Sequence, residues 1–291
     1  MTVTLDQPLE LPCGATLKNR LGKSAMSETL GTTDNRVTAK LTRLYRAWAR
    51  GGTGLSVTGN VMIDRRALGE PCNVVLEDRR DMDRLKAWAR AGREDGTHLW
   101  MQINHPGKQA PAALNRETVS PSAVPFSDPN LKRFFHVPRA LTVDEIADLV
   151  RRFGETAALA KEAGFSGVQI HGAHGYLVSQ FLSPRHNRRE DAYGGSAENR
   201  RRFVLEVYDE IRRRVGGDFP VSIKLNSADF QKGGFTEEES LAVVEALDAR
   251  GIDLIEISGG TYEAPRMAGQ GQRESTRRRE AYFLSYAEQV R

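Results

Sequence analysis

Residues 142–176 read TVDEIADLVRRFGETAALAKEAGFSGVQIHGAHGY, and this stretch contains one complete helix–strand unit. Thr142 and Glu145 have the spacing of a capping box, in which each side chain satisfies a free backbone N–H of the first helical turn. Apolar residues then recur every three or four positions, which predicts an amphipathic helix that ends near Gly164. The apolar run at 167–170 predicts a buried strand, so the stretch indicates one unit of a parallel α/β sheet.

The same alternation extends along the chain in both directions. Five further strands are predicted at residues 21–26, 55–60, 97–103, 221–225 and 253–257. Five further helices are predicted at about 36–51, 82–96, 199–215, 236–251 and 281–290. The sequence contains no internal repeat and no linker-like segment, so residues 1–291 are expected to form a single domain.

Two architectures fit six alternating strands and helices. An open doubly wound sheet would gather its polar strand-end residues at one switch point. Polar residues instead follow nearly every predicted strand, which favours the ring of loops on a (β/α)8 TIM barrel. A closed barrel needs eight strands, so the expectation is a barrel-type fold with about six βα units present in this chain.

Composition excludes several classes of protein. Hydrophobic residues make up 39% of the 291 residues and charged residues 27%, with a net charge of +4, as in soluble globular proteins. No basic stripe carries stacking aromatics, so the arginines at 277–279 are interpreted as solvated surface and no nucleic-acid partner is expected. No apolar stretch reaches membrane-spanning length, so no membrane partner is expected. Cys13 and Cys72 form no Cys-x-x-Cys motif, which favours a reducing cytoplasm.

The segment that follows the strand at 167–170 carries the clearest candidates for chemistry. His171 and His174, if a helical turn begins there, share one side of it, and Tyr176 lies close in sequence. Two imidazoles can donate hydrogen bonds to an oxygen that gains negative charge, and a phenol can act as a general acid. The spacing also fits two surface histidines with a core tyrosine. A zinc site is a third interpretation, but it lacks a convincing third ligand.

Three other predicted strands end in polar residues that a barrel would bring to the same face. Gln102 offers both a donor and an acceptor, which suits a ring edge made of amide and carbonyl groups. Lys224 stands in an otherwise apolar strand, where an unpaired charge would be costly, so it is either a site residue or part of a structural ion pair. Ser27 follows the first strand, where its hydroxyl could reach a bound ring.

These residues in this order resemble the NADH:flavin oxidoreductase branch of the Old Yellow Enzyme family. The resemblance extends from about Leu17 to the end of the chain and is densest over residues 167–200. Supporting stretches are residues 17–21, 102–107, 180–184 and 194–200.

The resemblance implies a (β/α)8 barrel that holds FMN over the carboxyl ends of its strands. Gln102 would then hydrogen-bond the flavin pyrimidine edge, and Lys224 would stabilise negative charge near N1 of the reduced ring. Ser27 occupies a position where family members use Thr or Cys. The implied cofactor-binding residues are Ala25, Met26, Ser27, Gly59, Gln102 and Lys224.

The resemblance also implies the reaction. His171 and His174 would hold the carbonyl of an enone or enal, and Tyr176 would protonate the α-carbon after hydride arrives from the flavin. The implied activity is that of an FMN-dependent NAD(P)H oxidoreductase of the ene-reductase type, with NADH or NADPH as the hydride donor. The implied partner is a small α,β-unsaturated carbonyl compound, and no metal is expected.

One departure from the family favours an alternative. Family members bind the FMN phosphate with the loops after strands seven and eight, and residues 273–279 do not match that pattern. The expected barrel is therefore incomplete at its C-terminal side, with strand edges that favour self-association into a homo-oligomer. The alternative function is a non-catalytic partial barrel that acts as a binding or assembly module.

Overall fold

The computed structural model describes residues 3–264 and 283–291. Its strands are β1 Leu9–Glu10, β2 Thr16–Leu17, β3 Gly22–Lys23, β4 Leu55–Val57, β5 Val61–Met62, β6 Val74–Val75, β7 His98–Asn104, β8 Val119–Ser120, β9 Arg139–Ala140, β10 Gly167–Gly172, β11 Val221–Asn226 and β12 Leu254–Ser258. Its helices are α1 Ala39–Arg50, α2 Met82–Gly92, α3 Pro129–Lys132, α4 Val143–Glu162, α5 Leu177–Leu182, α6 Ala197–Val215, α7 Glu237–Asp248 and α8 Leu284–Val290. Single 3₁₀ turns cover Glu94–Gly96 and Gly107–Gln109.

One parallel sheet of eight strands contains six that follow one another in the order in which they occur along the chain. The order is β3-β4-β7-β10-β11-β12, with β5 beside the end of β7 and β6 beside β5. Helices connect successive strands, so the prediction of a (β/α)8-type fold with six βα units is confirmed for the described residues. The parallel register places the carboxyl ends of all six strands at one end of the sheet, where barrel enzymes hold their active sites.

The sheet separates two groups of apolar side chains. The larger group fills the space between the outer face of the sheet and the helices. It includes Leu41, Trp88, Met101, Phe153, Ile170, Phe203, Ile223 and Leu247. Burial of side chains of this size contributes about 1.5–3 kcal/mol each, so this layer supplies most of the hydrophobic stabilisation.

The smaller group lies on the concave side and closes one end of the sheet. Leu11 and Leu17, from the β1–β2 hairpin, pack there against Leu55, Val57 and Trp100, which come from β4 and from the first half of β7. The hairpin therefore covers the end at which the parallel strands begin and leaves the opposite end to polar residues.

A buried carboxylate fastens this hairpin to the last strand. Asp253, directly before β12, accepts hydrogen bonds from the backbone N–H groups of Cys13 and Val221, each at 2.8 Å. The same carboxylate forms an ion pair with Arg212 at 2.8 Å. These contacts join the hairpin, β11, β12 and α6 at one point.

The helix boundaries follow the predicted signals, with small shifts. The predicted capping box is present at the start of α4, and a second one, formed by Thr236 and Glu239, begins α7. The helix expected from residue 36 begins at Ala39, because Thr38 is its N-cap and its hydroxyl accepts a hydrogen bond from the N–H of Leu41. The helix expected to reach Gly96 ends at Gly92, and a 3₁₀ turn follows.

The first strand is much shorter than predicted. Of the predicted 21–26, Gly22–Lys23 forms strand, and among the described residues it pairs with Leu55 and Ser56 of β4 alone. Residues 24–26 are assigned to no strand. The run at 277–279 and the first two residues of the helix predicted at 281–290 lie outside the described residues.

Candidate active site

The site candidates occupy the carboxyl half of the sheet on its concave face. Strand pairing places His171 on β10 opposite Lys224 on β11, and Gln102 on β7 opposite Gln169 on β10. All four side chains are at least 95% buried. The structure therefore brings together residues that are more than 120 positions apart in the sequence.

His171, His174 and Tyr176 form one cluster. The ring centroids of His171 and His174 are 5.1 Å apart, and those of His171 and Tyr176 are 4.7 Å apart. The helical turn that the sequence suggested is absent, because His171 belongs to β10 and α5 begins only at Leu177. A tight turn brings the rings together instead.

The turn depends on two residues with left-handed backbone. His174 has φ = 62° and Gly175 has φ = 81°. Left-handed backbone is unfavourable for a side chain such as that of histidine, so surrounding contacts must hold it. Asn226, at the end of β11, accepts a hydrogen bond from the His174 N–H at 3.1 Å. The neighbouring strand thus positions the imidazole.

Burial keeps both histidines neutral. Burial holds the pKa of His171 well below its usual value. Burial, and to a smaller extent the nearby Lys224 cation, lowers the pKa of His174 to about 4. The His171 Nδ1 accepts a hydrogen bond from the Ala173 N–H at 3.3 Å, which places the proton of the neutral ring on Nε2. His171 therefore has an N–H to donate.

Tyr176 is 5% exposed, and burial raises its pKa well above the usual value of 10. Its Oη lies 3.0 Å from the Oη of Tyr262, whose side chain is 36% exposed. The sequence analysis missed Tyr262. Its only signal was a position a few residues beyond the end of β12, where a barrel brings strand ends together. The pair connects the buried phenol to a more exposed one.

A chain of hydrogen bonds crosses the concave face below these aromatic rings. Gln102 Nε2 donates to Gln169 Oε1 at 2.8 Å, and Gln169 Nε2 donates to Glu256 Oε2 at 2.9 Å. Glu256 Oε1 lies 3.1 Å from Lys224 Nζ, and Lys224 donates to Ser24 Oγ at 2.9 Å. Lys224 is thus a member of an ion pair, as one of the two interpretations of the sequence predicted, and it lies on the same face as the other site candidates. Sequence reasoning found Gln102 and Lys224 but missed the two side chains between them.

The loops after β3 and β4 meet at the edge of this face. A Cβ on Gly59 would lie 2.3 Å from the carbonyl oxygen of Met26, so only glycine permits this approach. Ser27 Oγ accepts a hydrogen bond from Asn60 at 3.4 Å. Ala25 packs against the apolar group under the sheet, whereas the Met26 side chain is 53% exposed. The four loop residues predicted at the ring edge are therefore neighbours.

The chemistry of these side chains fits a flavin. A pyrimidine edge presents carbonyl oxygens around an N–H, and a carboxamide can pair with both kinds of group. Among the described residues, no donor contacts the Gln102 carbonyl oxygen, which leaves that oxygen able to accept. Lys224 supplies a buried cation for the negative charge of a reduced ring.

Other site types have less support. Within residues 3–264 and 283–291, no group of three or more His, Cys, Asp or Glu side chains could hold a metal ion. In the same ranges, no helix has both the length and the apolar character needed to cross a membrane.

Comparison with known proteins decides between the remaining interpretations. The family described as NADH:flavin oxidoreductase / NADH oxidase matches residues 4–289. The chain belongs to this family. It is 38% identical over 310 residues to the NADH-dependent flavin oxidoreductase iccE of Talaromyces variabilis, covering 99% of this chain and 74% of that protein.

Solved structures agree with this assignment. A 2-naphthoyl-CoA reductase in complex with 2-naphthoyl-CoA superposes with a TM-score of 0.89 at 29% identity, covering 98% of this chain and 44% of that chain. An Old Yellow Enzyme homologue from Zymomonas mobilis has the same fold, with a TM-score of 0.80 at 24% identity over 92% of this chain and 79% of its own. The predicted family and the predicted cofactors, FMN with a nicotinamide, are confirmed.

Proposed function

We propose that this NADH:flavin oxidoreductase is an ene-reductase that reduces the double bond of a small α,β-unsaturated carbonyl compound. The observation that carries the proposal is the meeting of His171, His174 and Tyr176 beside Gln102 and Lys224 on one face of the sheet. Residues 1–291 would act as one domain. Bound FMN would accept hydride from NADH or NADPH and supply it to the alkene.

The two histidines would bind the substrate carbonyl. The Nε2–H of His171 can donate to a carbonyl oxygen. His174 lies beside it as a second neutral imidazole, and because its Nε2 is 2.7 Å from Ser258 Oγ, its Nδ1–H would be the second donor. Hydrogen bonds that strengthen as negative charge develops on that oxygen lower the barrier to hydride addition at the β-carbon. Neutral donors suit this role, because their protonation does not change across physiological pH.

Tyr176 would protonate the α-carbon of the substrate. Its high pKa keeps the phenol protonated until a basic carbon forms. The phenolate that results would be stabilised by the Tyr262 hydroxyl at 3.0 Å and could regain its proton through that more exposed group. Gln102 and Lys224 would hold the cofactor ring, the first through its pyrimidine edge and the second through its negative charge when reduced.

The relatives support the same chemistry. The relative from Talaromyces variabilis is described as NADH-dependent. The structure with a TM-score of 0.89 contains 2-naphthoyl-CoA, in which an unsaturated ring is conjugated to a thioester carbonyl. A conjugated carbonyl is the substrate class that two histidine donors and a proton donor can activate.

The proposal is tested in two steps. First, the absorption spectrum of the purified chain with FMN is recorded before and after anaerobic NADH. Retained flavin bands that bleach support the reductase, whereas a folded protein without flavin favours the partial-barrel alternative.

Second, Tyr176→Phe is compared with the wild type in both half-reactions. Alkene reduction should slow by about 10²–10⁴-fold, the usual contribution of a general acid, while flavin reduction by NADH stays nearly unchanged. Tyr208→Phe is the matched control, because that phenol bonds the Arg250 carbonyl beside an outer helix. Equal losses in the two half-reactions would exclude Tyr176 as the proton donor.

A further inference from the structure

Glu256 occupies a central position in the polar chain on the concave face. Its side chain is 26% exposed and stands opposite Lys224 in the β11–β12 register. One carboxylate oxygen accepts from Gln169, and the other accepts from Ser24 and lies 3.1 Å from the Lys224 cation. No other carboxylate contacts Lys224 within the described residues.

These contacts fix the direction of two carboxamides. An ionised carboxylate only accepts hydrogen bonds, so Gln169 must turn its NH₂ group toward Glu256. Its carbonyl oxygen then faces Gln102, which must in turn present its own NH₂ group. The carbonyl oxygen of Gln102 is left to accept from a ligand. Without a fixed acceptor at the start of the chain, neither amide has a preferred direction.

The same carboxylate offsets the charge of Lys224. A cation that stabilises negative charge on a reduced ring does so less strongly when a carboxylate lies 3.1 Å from it, because the two charges oppose each other at any third site. Because both charges lie largely out of water, their interaction is screened little. Glu256 should therefore disfavour the reduced cofactor relative to the oxidised one.

We propose that Glu256 is a positioning residue that orients Gln102 through Gln169 and, by pairing with Lys224, makes bound flavin harder to reduce. This inference rests on the proposed function, since it assumes that Gln102 and Lys224 contact the flavin. It assigns roles to two side chains, Gln169 and Glu256, that would not contact the reacting atoms.

The test measures dissociation constants of oxidised and reduced FMN and the flavin midpoint potential. Glu256→Gln removes the charge. In Glu256→Gln, the ratio of affinities should shift at least tenfold toward reduced FMN, which for a two-electron couple is about +30 mV. Its amide would turn its oxygen toward Lys224 and its NH₂ toward Gln169, which reverses the chain, so oxidised FMN should also bind at least threefold more weakly.

Two further variants separate the causes. Gln169→Leu interrupts the amide chain but keeps the ion pair, so it should weaken oxidised FMN binding while leaving the potential within 10 mV of wild type. Glu94→Gln is the matched control, because it removes a carboxylate that pairs with Arg46 and Arg50 in the 3₁₀ turn before β7. It should change neither quantity.

The outcomes distinguish this inference from the proposed function. A wild-type chain that retains no flavin would overturn both. A wild-type chain that binds FMN and is reduced by NADH, with Glu256→Gln within twofold of it, would overturn the inference alone. A shift in Gln169→Leu equal to that in Glu256→Gln would show that charge is not the cause. If Glu256→Gln does not fold, Glu256→Asp replaces it, and its shortened reach to Lys224 should give at least a threefold shift.

Discussion

Replacement of Tyr262 by phenylalanine isolates the hydrogen bond between the two phenols. The variant removes one oxygen atom and keeps the ring, which packs beside Phe135 and Tyr176 with centroids 6.2 and 6.0 Å away. A hydrogen bond to a charged group is worth about 1.5–3 kcal/mol, against about 1 kcal/mol for one between neutral groups. Removal of the Tyr262 hydroxyl should therefore cost about 0.5–2 kcal/mol more once Tyr176 becomes a phenolate.

That difference corresponds to a loss of about 2- to 30-fold in the rate of alkene reduction. Flavin reduction by NADH should be unaffected, because that half-reaction needs no proton from Tyr176. The assay mixes reduced protein with 2-cyclohexen-1-one in a stopped-flow instrument and follows the return of oxidised flavin absorbance. Tyr208→Phe again serves as the control for loss of a phenol outside the site.

A double variant makes the test decisive. If Tyr262 acts only through Tyr176, Tyr176→Phe combined with Tyr262→Phe should be no slower than Tyr176→Phe alone. A double variant whose rate loss equals the product of the two single losses would show that Tyr262 does not act through Tyr176. Equal slowing of both half-reactions by Tyr262→Phe would show the same.

Two further predictions concern the stability of the fold. Burial lowers the pKa of His105 from 6.5 to about 4, so its contribution to stability is complete above pH 6.5 and is lost as the pH falls toward 4. The free energy of unfolding is measured with urea at pH 7 and at pH 4.5. Between these two pH values His105→Asn should lose about 2 kcal/mol less of it than wild type. Equal losses in the two proteins would contradict the lowered pKa of His105. Asp253→Asn leaves Arg212 without its buried charge partner and should lower the free energy of unfolding by about 3 kcal/mol. The control Asp218→Asn, at an exposed pair, should change it by less than 1 kcal/mol.

The sequence was sufficient to predict the elements that carry strong local signals. The amphipathic repeat and capping box of α4 predicted its start and its partner strand, because both signals depend only on neighbours within a few residues. The strand at 21–26 was predicted too long, since a local pattern does not reveal at which residue pairing with the neighbouring strand stops. Short strands such as β5 and β6 were missed for the same reason, because two residues are assigned as a strand only through their pairing with a neighbouring strand.

The site was predicted in part, and the missing part has a physical cause. His171, Tyr176, Gln102 and Lys224 were predicted as site residues because they are polar residues at or near strand ends, and the structure brings them to one face of the sheet. Gln169, Glu256 and Tyr262 were not predicted, because their proposed roles depend on contacts with residues that are 67 to 87 positions away in the sequence. No local pattern shows which partner a buried carboxamide faces.

The closed end of the sheet explains why the polar chain is found at the other end. The β1–β2 hairpin fills the concave face where the strands begin, with Leu55 and Trp100 beneath it, so a polar side chain there needs buried partners such as those of Asp253. Lys224 lies beyond these apolar side chains, but it is still almost completely buried and needs a counter-charge. Glu256 supplies this charge from the adjacent strand, and the acceptor that stabilises the cation also orders the amides beside it. A substitution at position 256 should therefore alter the fold's stability and the cofactor site together, whereas one at Tyr262 should alter only the proton step.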